Sequence, residues 1–474
     1  MRLALRRSRR FRTVARALAL CVGLFEFGAL QACGRIGFTL SAVTDAAPPS
    51  IGDAAARSDA SIDASAGDGG GGAVGGMDAQ LPDAASMQDA GSSTGGDASS
   101  IGTGTPMKPD AAVDGGADAA AITKLARGFT HMCAIMSGDL FCWGNNNSAQ
   151  LGLGDTADRL VPTRHEGRWL DACGTEESSC GIQADGALYC WGDNTKGELG
   201  LGDRTARKAP TRVGTDNDWA QVSCIGLFVC ALRNSGALYC WGENSEGAPG
   251  QADASGSPDV LTPSVVAEGT TYRMVSAGQG SVCAIDTGGA LYCWGRNTQA
   301  QLGLGSTTMM QVRKPTRVGT LSDWKSVAAG QEQTLAVRED GSLWSWGIEA
   351  EGARGLTTLL SPVVTPTRVT GVSNWKQITS ARLGSCGVTE DGALYCWGRG
   401  VEGQIGNGTT TSVRTPTRVG DGQDWREVRI GYFFACGLRS DASVWCWGEN
   451  FGGMLGLDDT SRRSSPEQVM FPAQ

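Results

Sequence analysis

Cysteine carries most of the chemistry in this chain: sixteen are present, against two histidines, His131 and His165. Twelve of the cysteines fall in six pairs, Cys133/Cys142, Cys180/Cys190, Cys230/Cys240, Cys283/Cys293, Cys386/Cys396 and Cys436/Cys446. Five pairs are ten residues apart; the first is nine apart, around a turn at Ser137-Gly138 that is one residue shorter. This spacing sets each pair face to face across a two-stranded hairpin, where Cβ atoms approach closely enough for a disulfide. At the equivalent places of a further hairpin stand Leu335 and Ser345, so both partners are lost together, as a bond predicts. Disulfides are therefore expected, each contributing about 2–3 kcal/mol for so short a loop. The alternative is a set of small, buried, reduced thiols. Cys173 and Cys224, four and five residues after Trp169 and Trp219, are expected to bridge neighbouring units.

Little else in the chain is reactive. No Ser/His/Asp set, His-Glu-x-x-His, Cys-x-x-Cys pair or phosphate-binding glycine motif stands out. His131 opens a hairpin strand, where a packed, hydrogen-bonded role fits better than catalysis. Asp155 and Asp203 follow Leu-Gly-Leu-Gly at matching places, but a single carboxylate without further oxygen ligands does not make a calcium site. The Asp-Gly turns at Asp185-Gly186, Asp340-Gly341 and Asp391-Gly392 lack the flanking residues of a sialidase Asp-box. No catalytic, cofactor-binding or metal-binding residue is assigned, and no cofactor is expected.

The elements that position these residues follow from a Trp-Gly pair that recurs at Trp143, Trp191, Trp241, Trp294, Trp346, Trp397 and Trp447. The gaps are 48, 50, 53, 52, 51 and 50 residues, the mark of one supersecondary unit copied in series. Trp169, Trp219, Tyr272, Trp324, Trp375 and Trp425 each precede the next Trp-Gly by 22 residues. All length variation thus falls in residues 144–168, 192–218, 242–271, 295–323, 347–374 and 398–424. Within the constant half, two runs of alternating polarity flank a Gly-containing turn such as Glu390-Asp391-Gly392, a hairpin pattern. A third strand precedes them, and the recurring Pro-Thr-Arg-Val (Pro210–Val213, Pro315–Val318, Pro366–Val369, Pro416–Val419) supplies a fourth, with Pro at its start. Four short antiparallel strands in seven units predict an all-β fold, a seven-bladed β-propeller over residues 122–474; an open solenoid is the alternative. Pro466–Val469 closes the chain and no such strand precedes Ile122. The N- and C-terminal strands are therefore expected to complete one blade and close the ring.

After each Trp-Gly comes a stretch like Asp193-Asn194-Thr195-Lys196-Gly197-Glu198-Leu199-Gly200. It resembles the regulator of chromosome condensation repeat family, in all seven units. The Asn recurs as Asn146, Asn194, Asn244, Asn297 and Asn450 and is replaced by Glu349 and Gly400; Leu-Gly becomes Pro249-Gly250 and Arg354-Gly355 in units three and five. The resemblance implies a propeller that works by binding. In eukaryotes the family's best-known role is exchange factor for a small GTPase, and a bacterial relative is a secreted inhibitor that clamps a β-lactamase. The residues themselves need no function beyond turn geometry and inter-blade packing.

The N-terminus bears on compartment. Seven arginines (Arg2 to Arg16) precede an apolar stretch from Ala17 to Leu30 and then Leu30-Gln31-Ala32-Cys33. Residues 1–32 are expected to be a signal peptide of lipoprotein type, with Cys33 lipidated. Residues 33–121 form a tether; from 44 onward they are mostly Ala, Asp, Gly and Ser, with 12 Asp against Arg57 and Lys108, a composition that cannot bury enough surface to fold. Removing residues 1–32 takes the net charge from −9 to −15, and no basic face suggests nucleic acid. The expected product is an exported protein on the outer membrane or surface of a Gram-negative bacterium, or secreted. Membrane contact is through the lipid anchor only. The expected function is a non-enzymatic scaffold that presents its variable loops to a protein or glycan. The alternatives are a structural envelope protein, an exchange factor and a glycan-active enzyme.

Overall fold

A computed structural model describes residues 122–250, 258–348, 350–357 and 362–472. The signal peptide, Cys33 and the tether lie outside these residues. Twenty-eight strands form seven four-stranded antiparallel sheets, each with its strands in sequence order, spanning 122–164, 169–212, 219–265, 272–317, 324–368, 375–418 and 425–469. The first strand of each sheet contacts the first strands of its neighbours and lines the central channel. The fold is a seven-bladed β-propeller.

The Trp-Gly pair holds the blades together. Each indole donates its N–H to a backbone carbonyl in the loop of the preceding blade: Trp191 to Gln150, Trp241 to Glu198, Trp294 to Ala248, Trp346 to Gln301, Trp397 to Ala353 and Trp447 to Gln404, at 2.9–3.0 Å. The glycine that follows each of these tryptophans, and Gly144 after Trp143, has φ between +97° and +109°. A Cβ there would come within 2.2–2.7 Å of the carbonyl before the second strand, so only glycine fits. The glycine of Leu-Gly also has positive φ, and in most blades its missing Cβ leaves room for the next blade's indole, as Gly200 does for Trp241 (2.7 Å). This explains why Gly250 and Gly355 persist where the leucine does not. The constant 22-residue interval joins a second pair of rings. Trp169 and Trp191, and likewise Trp375 and Trp397, pack edge-on with centroids 5.7 Å apart inside one blade. The core accordingly lies in layers between consecutive blades.

Ring closure differs from the expectation. The N- and C-terminal strands do not share a blade; Ile122–Arg127 is the innermost strand of the first sheet, and Arg463–Val469 is the outermost of the last. The first unit carries its own fourth strand, Arg159–Arg164, with Pro162-Thr163-Arg164. The repeat is thus in phase from Ile122, and neither end lacks a strand. Closure uses the indole bond found at every junction, with two polar bonds between the innermost strands. Trp143 donates to Met454 O (3.1 Å), Leu125 N donates to Glu427 Oε2 (3.3 Å), and Arg429 Nε donates to Leu125 O (3.2 Å). The proline of the fourth strand also sits inside that strand, as in Arg207–Arg212, and not at its start. It lies in the irregular stretch of register between Gly192↔Arg207 and Cys190↔Thr211, on an edge strand where no ladder N–H is required.

The six hairpin cysteine pairs are register partners: Cys133↔Cys142, Cys180↔Cys190, Cys230↔Cys240, Cys283↔Cys293, Cys386↔Cys396 and Cys436↔Cys446. All six are joined as disulfides, with Cα atoms 4.0–4.2 Å apart. Cys173–Cys224 links the innermost strands of the second and third blades. In the fifth blade Leu335 faces Ser345, both fully buried, and the Ser345 hydroxyl has no hydrogen-bond partner.

Candidate functional site

The chain direction sorts the connections onto two faces. The link between first and second strands is bonded to the start of the loop between third and fourth strands in every blade: Thr130 O accepts from Asn145 N, Glu177 O from Asp193 N, Leu227 O from Glu243 N, and so on to Phe433 O from Glu449 N. These connections therefore share one face, the loop face. The hairpin turns and the blade-to-blade links share the other, where Gly186 O accepts from Trp219 N and Gly236 O from Tyr272 N. Each variable segment predicted from the sequence is consequently divided between both faces. The longest connection between third and fourth strands is in the third blade; residues 243–250 and 258–259 of it are described.

The hairpin cysteines brace the blades and stand apart from any site. Cys142, Cys190, Cys240, Cys293, Cys396 and Cys446, each just before the Trp of a Trp-Gly pair, are fully buried. Their partners Cys133, Cys180, Cys230, Cys283, Cys386 and Cys436 are buried with them, and all twelve sit in the apolar layers between blades. None reaches the central channel; of the bonded cysteines, only Cys173 and Cys224 line it. A disulfide so enclosed meets neither ligand nor reductant, so these residues are structural.

The loops on this face are braced from within. Asn146 Oδ1 accepts from Leu151 N (2.9 Å) while its Nδ2 donates to Asp155 O (3.2 Å), and Asn194, Asn297 and Asn450 repeat the pattern. In the third blade the residue five after Asn244 is Pro249, which has no N–H, and Asn244 Oδ1 is left without a partner. Asp155 accepts from Asn146 and Ala157 and pairs with Arg159 (2.7 Å); Asp203 does the same with Asn194, Thr205 and Arg207 (2.7 Å). Their arginine partners hold both carboxyls below the usual range. These oxygens are consumed in loop structure. Among the described residues no group of three or more His, Cys, Asp or Glu is placed to hold a metal ion.

The histidines are structural. His131 is fully buried and its Nε2 lies 2.8 Å from Ser179 Oγ of the next blade; burial lowers its pKa to about 4. His165 is buried against the Trp191 ring (5.6 Å) and is likewise lowered to about 4.

At the centre of the loop face lies a feature that the repeat pattern did not reveal. The link between first and second strands carries Glu176-Glu177, Gln279-Gly280 and Gln331-Glu332 in the second, fourth and fifth blades, but two adjacent aromatics, Tyr432-Phe433, in the seventh alone. The Tyr432 hydroxyl sits between the side-chain amides of Gln279 and Gln331 (3.0 Å to the latter), reaching blades four and five from blade seven. Gln279 in turn donates to Glu176 Oε1 (3.0 Å) in blade two. This strap crosses the channel mouth. Burial pushes the Tyr432 phenol well above its usual range, and burial with the neighbouring Glu177 and Glu243 raises Glu176.

Beside the strap runs an aromatic ridge. Phe129 packs on Tyr432 (4.1 Å) and on Phe433 (5.7 Å), and Phe433 packs on Phe451 (5.9 Å), which is 43% exposed on the seventh blade's long loop. Arg382 lies over the Tyr432 ring (5.9 Å). Val401, Met309 and Met310 are also exposed on loops of this face. Partly exposed aromatics beside an arginine on rigid loops are the make-up of an interaction hot spot. The signal available in the sequence was the run Tyr432-Phe433-Phe434, visible only when the first-to-second-strand links are compared across units.

The RCC1-like domain family profile matches residues 214–474, and the profile of the regulator of chromosome condensation (RCC1) repeat matches 137–180 and 185–232. The chain belongs to the RCC1-like domain family. It is 29% identical over 293 residues to the ultraviolet-B receptor UVR8 of Arabidopsis thaliana, covering 60% of this chain and 54% of that protein. It is 30% identical over 168 residues to protein pim1 of Schizosaccharomyces pombe, 31% of each. It thus spans about half, or less, of the length of these relatives. Among solved structures, human WBSCR16 superimposes with a TM-score of 0.63 at 22% identity, over 70% of this chain and 94% of that one. Yeast RCC1 (Prp20), solved with Kap60 bound, gives 0.60 at 22%, over 68% and 82%. At these identities the structural likeness speaks for the fold alone. This RCC1-like propeller shares the frame, and its aromatic ridge and strap are read from its own residues.

Proposed function

We propose that this RCC1-like propeller is a non-enzymatic, exported scaffold, tethered at the cell envelope through residues 33–121, that binds a protein ligand with its loop face. The observation that carries this reading is the ridge Phe451–Phe433–Phe129–Tyr432, half-exposed beside Arg382, with the Phe451 loop clasped by Trp143 through Met454 O and Tyr432 held by Gln331. A prearranged surface of this kind binds without the entropy cost of ordering loops. Export is supported by the paired cysteines, which persist as disulfides only in an oxidising compartment. The same chemistry opposes a cytosolic GTPase as partner.

The test is a pull-down from envelope extracts with the wild-type chain, Phe451→Ser on the loop face and Leu321→Ser on the hairpin face. Both replaced residues are exposed, so the fold tolerates either change. A partner lost with Phe451→Ser and kept with Leu321→Ser supports the reading; equal recovery with both refutes it.

A further inference from the structure

The central channel holds a positive charge that no group among the described residues neutralises. Its cavity, about 170 Å³, is lined by the innermost strands of all seven blades. Two of its cations are matched: Lys124 pairs with Asp171 (2.5 Å), and Arg429 with Glu427 (2.6 Å). Both carboxylates are further engaged, Asp171 by Val222 N (3.1 Å) and Glu427 by Leu125 N (3.3 Å). The third cation, Arg127, donates from Nη2 to Ser380 O (3.0 Å) across to the sixth blade, and among the described residues no carboxylate pairs with it.

A guanidinium has five N–H donors, and the partly buried Arg127 has one of them bonded to Ser380 O. Burial and the neighbouring Arg429 bring Arg127 down to about 10 against the opposing pull of Tyr432, and Glu176, whose own burial favours its neutral form, lines a small cavity beside it. The surrounding wall offers hydroxyls at Ser223, Ser276 and Thr379, and Lys124 stands three residues before Arg127 on the same strand. At about 30 Å³ per water, the space admits roughly five waters or one small ion. On the loop face the Tyr432–Gln279–Glu176 strap crosses the mouth directly above Arg127.

We propose that the channel is a binding site for one small anion, a carboxylate or a tetrahedral oxyanion, held by the Arg127 guanidinium. Either would meet the planar fork of Arg127 with two parallel hydrogen bonds. The site adjoins the aromatic ridge at Tyr432 and Phe129, but the anion would enter the channel and not the exposed ridge surface.

The experiment is calorimetric titration of the full chain, in chloride buffer of constant ionic strength, with sodium phosphate and, in a second arm, sodium acetate. Saturable one-site binding of at least one of them is expected, weakened at least tenfold in Arg127→Gln. Binding of acetate alone assigns a carboxylate, and binding of phosphate alone an oxyanion. No saturable binding in either arm overturns the proposal, as does undiminished binding to Arg127→Gln. If Arg127→Gln does not fold, Arg127→Lys decides, because it keeps the charge and loses the fork. Affinity then falls severalfold if Arg127 holds the anion and is unchanged if it does not.

Discussion

The fifth blade is the natural place to test what the hairpin cysteines do. Leu335 and Ser345 are register partners at the position where six other blades carry a disulfide with Cα atoms 4.0–4.2 Å apart. The double variant Leu335→Cys/Ser345→Cys should form a seventh. For a loop of ten residues, the separation found in five of the existing pairs, chain entropy gives about 2.7 kcal/mol at 25 °C. Trimming the fully buried Leu335 costs about 1 kcal/mol, since the partner sulfur fills part of the space. Removing the unpartnered Ser345 hydroxyl returns about 1 kcal/mol. The net gain is about 2–3 kcal/mol. The assay is free-thiol counting on the denatured, unreduced variant, followed by urea unfolding beside the wild type. Two more titratable thiols than the wild type after air oxidation of the folded variant, or a bond that forms without raising the midpoint, would refute this.

Two further predictions concern single side chains. His131 and His165, both buried, have folded pKa values of about 4 against 6.5, so the unfolded chain binds more protons and stability falls as pH drops below 6.5. Glu198, buried where other blades have Gln150, Gln301 and Gln404, is raised from 4.5 to about 7 and acts in the opposite sense. Glu176, also raised by burial, adds to the opposing side, so the loss between pH 6.5 and 4.5 is at most about 1.4 kcal/mol per pH unit. Glu198→Gln should steepen that slope by about 1.4 kcal/mol per pH unit and stabilise the protein by about 3 kcal/mol above pH 7; unfolding curves across pH check both, and a slope unchanged by Glu198→Gln would count against the assignment. Pro249→Leu should supply the N–H that Asn244 Oδ1 lacks and raise stability by about 1 kcal/mol, read from the shift in urea midpoint.

The frame was legible in the sequence because it is repeated. Seven Trp-Gly pairs and a fixed 22-residue interval reflect one indole clasp and one ring pair per blade, and opposed cysteines follow from hairpin register. Phase is hidden in the sequence because Pro162-Thr163-Arg164 ends in His165 where later units have Val, so the first fourth strand lacks the recurring signature. The sites were hidden for a different reason. Tyr432 meets Gln279 and Gln331 across more than a hundred residues of chain, and Arg127 reaches Ser380 over 253. Such juxtapositions arise from closing the ring, and no local spacing encodes them. The ridge breaks the repeat, and a reading that looks for what recurs passes over it.

The proposed function depends on the loop face being the surface that meets a protein partner. Its most direct test is a photo-crosslinking amino acid at position 451, with position 321 on the hairpin face as comparison, irradiated in intact cells expressing the full chain. A discrete crosslinked protein species from position 451 and none from position 321 is the predicted result. No species from position 451, or the same species from both, would contradict it.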